Sequence, residues 1–222
     1  MPDLDFAVED AAPAPYCATP TLGLKLRISD VQQGIDGGPR AEIQSVQLDC
    51  QVRIEARRRR YSPSEEGRLF ELFGEPARWS QTVRSLLWAQ TGVSVPAFSG
   101  TTVVNLPVPC TFDLNVLAAK YFHALEGEGV PLLLLFSGTI FYAGAEGRLQ
   151  IGRVSWNKEA SYVLPVATWK ALIDTYYPGV AWLCLRRDVV DRLAAFKSNA
   201  GLATWEQALE RLLVEVEEPS PR

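Results

Sequence analysis

The sequence predicts an α+β fold: a mainly antiparallel β-sheet, a helical insertion over about residues 62–92 and a helical C-terminal third. Three observations carry this. Two long segments alternate apolar and polar residues with period two. Two capping boxes announce helices. No low-complexity linker divides the chain, and strand-like segments lie on both sides of the first helices.

Leu4, Phe6 and Val8 alternate with acidic residues and predict a short edge strand, followed through residue 19 by an Ala/Pro-rich connector. Leu22, Leu24, Leu26 and Ile28 then line one face of a strand. After a glycine-rich turn at residues 34–39, Val46, Leu48, Cys50, Val52, Ile54 and Ala56 line another. These two segments are expected to pair as a hairpin. Ser62-Pro63-Ser64-Glu65 is a capping box with proline at the first helical position, so a helix is expected from Pro63 to about Phe73. Pro76 should open a second, with Trp79, Val83, Leu86 and Leu87 on one face and Gly92 as its stop.

Residues 101–143 read as extended, except that the pattern Leu114, Leu117, Ala118, Tyr121, Phe122, Leu125 also fits a helix. Gly127-Glu128-Gly129 should turn into a leucine-rich buried strand ending near Tyr142, and Leu149–Leu164 should supply one or two more strands. Helices are expected from Pro165 to about Tyr177, from Asp188 to near Gly201, and after the second capping box, Thr204-Trp205-Glu206-Gln207. The expected organisation is a short strand and connector at 1–19, one domain at 20–214 and a flexible tail at 215–222.

The formal charge of −4 excludes a global field for nucleic acid or an anionic membrane. The N-terminus lacks a basic segment followed by an apolar one, so no signal peptide is expected. The longest apolar run, near Leu132–Phe136, is far shorter than the ~20 residues of a membrane helix. Cys17, Cys50, Cys110 and Cys184 are widely spaced, which signals neither zinc nor a redox pair and suits reduced thiols in the cytoplasm.

The chain has one histidine, His123, and no nucleophile elbow, so histidine-assisted hydrolysis has a single, poorly placed candidate. His123 is expected to be a half-exposed strand residue. Neither a phosphate loop nor a metal motif is present, so no cofactor is expected. Glu159 and Asp174 lie in apolar neighbourhoods and are expected to face solvent.

Two features remain. Arg57-Arg58-Arg59-Arg60 ends a strand just before a capped helix. It reads either as a charged strand end that discourages edge pairing or as a docking patch for an acidic protein surface. Trp79 and Trp205, at helix starts, are the tryptophans of six expected to be partly exposed, and with the arginines they form the candidate protein-binding set.

The segments Phe136-Ser137-Gly138-Thr139-Ile140-Phe141-Tyr142, Val154-Ser155-Trp156, Leu164-Pro165-Val166-Ala167-Thr168-Trp169 and Tyr177-Pro178-Gly179-Val180-Ala181-Trp182-Leu183 carry a resemblance. Together with Pro20-Thr21-Leu22 and Pro107-Val108-Pro109-Cys110, they resemble an uncharacterised, largely actinobacterial family often encoded beside [NiFe]-hydrogenase genes. The resemblance implies an accessory role in hydrogenase assembly or maturation, with a hydrogenase subunit or maturation factor as partner. The order of elements is also similar to that of the SecB export chaperone, with residues 57–129 as an insertion. That likeness implies a holdase for partly folded clients and allows a homo-oligomer. A third reading is an enzyme whose site is assembled from scattered Asp, Glu, Tyr or Arg residues.

Overall fold

Phe6 and Phe136, far apart in sequence, stack ring on ring at 4.3 Å and 17° across the interior of a computed structural model. The structure describes residues 1–31, 42–111, 116–127, 129–144, 147–179 and 185–217. The turn expected at 34–39, the first residues of the ambiguous 112–118 segment, Cys184, Trp182 and the tail from residue 218 lie outside them.

Two compact units make up the chain, Met1–Gly179 and Val180–Arg222. In the first unit, the described strands form two antiparallel sheets, so the α+β class holds. One sheet has the order β1 (Leu4–Pro13), β2 (Thr21–Asp30), β5 (Thr101–Pro109). The other has the order β4 (Leu86–Val95), β3 (Ile43–Ile54), β6 (Gly129–Ala143), β7 (Leu149–Arg153), with β8 (Glu159–Pro165) also on β6. Their inner faces supply the core: Leu22, Leu24, Leu26 and Ile28 from β2, Val46, Leu48, Cys50, Val52 and Ile54 from β3, and Val130, Leu132, Leu134 and Phe136 from β6.

The expected hairpin of residues 22–28 with 46–56 does not form. β2 pairs with β1 and β5, and β3 pairs with β4 and β6. Period two identifies the buried face of a strand but not its neighbour. The N-terminal segment is more than a short strand and connector: β1 runs to Pro13, shifting register between Val8 and Asp10.

α1 (Pro63–Phe73) forms as expected, with both halves of its capping box present. The second expected helix does not. A 3-10 turn at Pro76–Arg78 leads into α2 (Trp79–Thr82), and Leu86–Val95 is a strand. The helical spacing of Trp79, Val83, Leu86 and Leu87 spans a helix end and a strand start. Gly92 permits close packing inside β4, since a Cβ there would lie 2.9 Å from the Leu48 carbonyl oxygen.

The ambiguous segment resolves as α3 (Val116–Ala124). β6 is long enough to hold β8 along Gly129–Leu135 and β7 along Thr139–Ala143. Gly138 sits where the edge changes partner, at φ +153°, and a Cβ there would collide with the Gln47 carbonyl oxygen. α4 (Val166–Tyr176) buries Val166, Trp169, Leu172 and Ile173. The second unit contains α5 (Arg187–Asn199) and α6 (Trp205–Glu217). Thr204 and Gln207 cap α6 reciprocally, the Gln207 N–H donating to Thr204 Oγ1 at 3.2 Å. Among the described residues, no helix is long and apolar enough to cross a membrane.

Candidate protein-binding surfaces

The arginine run separates by burial. Ala56–Arg58 forms a 3-10 turn that leaves Arg57 and Arg58 exposed, and Arg60 is exposed as well. Arg59 turns inward. Its guanidinium donates to Glu65 Oε1 at 2.8 Å and Oε2 at 3.0 Å, and to the carbonyls of Gly129, Arg60 and Glu126 at 3.2, 3.2 and 3.0 Å. Those bonds occupy every N–H donor of an arginine. Glu65 also accepts from the backbone N–H groups of Glu126 at 2.7 Å and Ser62 at 2.9 Å. Burial pushes the Glu65 carboxyl up, but Arg59 and these two N–H groups outweigh it and hold the group down at about 2.

Aromatic rings close the same corner. Tyr61 donates to the Ala56 carbonyl at 2.7 Å, leaving its oxygen to accept from Tyr121 at 2.8 Å. Trp79 meets Tyr61 and Phe73 edge to face and donates its indole N–H to the Gly74 carbonyl at 2.9 Å. It is 9% exposed. Arg59 and Trp79 therefore hold the strand end, α1 and the α3–β6 junction together rather than facing a partner. From this group, only Arg57, Arg58 and Arg60 are available to an acidic surface.

Trp205 is different. It opens α6 at 45% exposed, with the Lys197 ammonium 5.6 Å from its ring. Leu209, Leu213 and Val214 on the same helix are also exposed, and Ala208 is its buried residue among those described. α5 buries none of its residues fully.

The chemical candidates are placed as follows. His123 is exposed on α3 rather than on a strand, edge-on to Trp169 at 5.0 Å. Burial of its ring and the nearby Lys170 charge lower its pKa, and Asp174 opposes them. Glu159 and Asp174 are exposed as expected. Cys50 and Cys110 are buried, and burial pushes both thiols up to about 12, far from the thiolate that reactivity and metal ligation need. Among the described residues, no group of three or more His, Cys, Asp or Glu side chains is placed to hold a metal.

Sequence reasoning missed one surface. The outer face of β6 presents Pro131, Leu133, Leu135 and Phe141, all half-buried, beside exposed Val163 of β8 and Ile151 of β7. The signal was there: Leu132–Phe136 is apolar at every position, the pattern of a strand covered on both faces.

A family-wide sequence model matches residues 1–221 of the chain. The chain belongs to DUF6084, a family of unknown function. A search of curated proteins finds no match. Membership in DUF6084 therefore adds no residue role, and the surfaces above carry the functional argument.

Proposed function

We propose that the protein is a non-catalytic accessory or assembly factor that binds another protein through its C-terminal helical pair. The observation that supports this is the open face of α6: Trp205, Leu209 and Leu213 form an apolar stripe at helical spacing, with Leu213 62% exposed. Helices of 13 residues gain most of their stability from packing an apolar face, and this stripe is free to enter a groove on a partner. Trp205 is the natural anchor, since an exposed tryptophan at the end of such a stripe buries a large area on contact.

The partner we propose is a [NiFe]-hydrogenase subunit or maturation factor, met in the cytoplasm. The buried, protonated thiols of Cys50 and Cys110 suit a role by contact rather than by metal delivery. The protein captured from its native cells should bring down one dominant hydrogenase-related protein. The double variant Leu209→Asp/Leu213→Asp should lose it while keeping its fold. A broad set of unfolded clients, with suppression of their aggregation, would favour a SecB-like holdase. Capture of a partner without any dependence on α6 would overturn the proposal.

A further inference from the structure

The outer face of the larger sheet has an internal symmetry of charge. Along β6, in chain order, Leu133 pairs with Arg53 of β3 on one side, and Leu135 pairs with Glu159 of β8 on the other. Further along, Ser137 pairs with Asp49 of β3, and Thr139 pairs with Arg153 of β7. All of these residues lie on the outward face, because their neighbours along each strand, such as Val52, Cys50, Leu134 and Phe136, are buried in the core. One flank of the apolar stripe therefore reads positive then negative. The other reads negative then positive, displaced along the strand by two residues, about 7 Å.

We propose that this face packs on the same face of a second copy of the chain, about a two-fold axis running along β6. That operation lays Pro131, Leu133, Leu135 and Phe141 over their own counterparts. It also brings each β3 flank against the copy's β7–β8 flank, so Asp49 meets Arg153, and the N–H groups of Arg53 not engaged by Ser85 face Glu159, twice over by symmetry. The displacement within each pair is within the reach of an arginine side chain. The two-fold axis perpendicular to the strands in the same plane is disfavoured: centred on Leu135 it sets Glu159 opposite Glu159, and centred one residue further along it lays Leu135 over Ser137 and Leu133 over Thr139 instead of over apolar counterparts. Exposure agrees: Val163 and Ile151, at opposite ends of the stripe, are 59% and 66% open to solvent, although β6 has the composition of a strand covered on both faces.

The test is sedimentation equilibrium of the full chain over a wide concentration range. The expected result is a species of twice 24.6 kDa. Arg153→Glu should weaken that dimer at least tenfold, and adding Asp49→Arg should restore it, because the pair is only exchanged. Both positions are exposed, so circular dichroism should stay unchanged, as should the thermal midpoint measured at concentrations where every species is monomeric. Leu213→Asp in α6 should leave the dimer intact, which separates this interface from the partner-binding face. A monomer at every concentration would overturn the proposal. So would a dimer indifferent to both charge reversals, or one lost through Leu213→Asp.

Discussion

The Arg59 corner and the α6 stripe use the same kinds of residue to opposite ends. In the first, a guanidinium, a carboxylate and three aromatic rings point at one another, and every polar atom of the ion pair has a protein partner. In the second, a tryptophan and two leucines point outward with one lysine beside them. The lesson is that arginine and tryptophan content does not mark an interface. Satisfaction does: a group that has already made its bonds holds the fold together, and one that has not is available to a partner.

Breaking the closed corner should have the largest effect. Glu65→Ala leaves the Arg59 guanidinium buried without its carboxylate and should cost about 3–5 kcal/mol in urea unfolding. The native protein has a milder version of this at acid pH. The Glu65 carboxyl is held below its ordinary value of 4.5, at about 2, so its contribution is complete above pH 4.5 and is lost as pH falls toward 2. Stability measured across that window should drop more steeply for the native chain than for Glu65→Gln.

Next comes Gly138→Ala. Its positive φ and the nearness of the Gln47 carbonyl should make the substitution cost about 1–3 kcal/mol, read by thermal unfolding. Removing the α1 cap with Ser62→Ala should cost about 1 kcal/mol. The smallest effect sharpens the comparison from the open side. Arg58→Ala removes an exposed side chain 3.7 Å from Glu55 and should change stability by less than about 0.5 kcal/mol, the range of surface substitutions.

How much of this was legible in the sequence depended on the range of each interaction. Both capping boxes were, because a cap is complete within four residues: Ser62 with Glu65, Thr204 with Gln207. The inward faces of β2 and β3 were legible for the same reason, since alternation is local. Strand partners were not. β2 and β3 lie in different sheets because β3 finds its edges in β4 and β6, far along the chain. The misread helix at 76–92 shows the same limit. Four apolar residues at helical spacing suggested a helix, whereas Leu86–Val95 pairs with β3 through a register shift beside Trp88 that no local pattern announces.

The candidate set divided along the same line. Arg57, Arg58, Arg60 and Trp205 are exposed as an interface would require, whereas Arg59 and Trp79 are buried. Two of the bonds that hold Arg59 inward go to the carbonyls of Glu126 and Gly129, more than sixty residues away, and no local pattern announces them. By contrast, the unbroken apolar run at Leu132–Phe136 did announce a strand that wants cover on both faces. What it could not announce was that one of those faces is open.

The most direct measurement is hydrogen exchange on the full chain, alone and with the protein it captures from its native cells. Protection is expected to rise along α6, over Trp205–Val214, with residues 56–65 unchanged because their bonds are already made. Protection that appears at residues 56–65 and leaves α6 untouched would contradict the account.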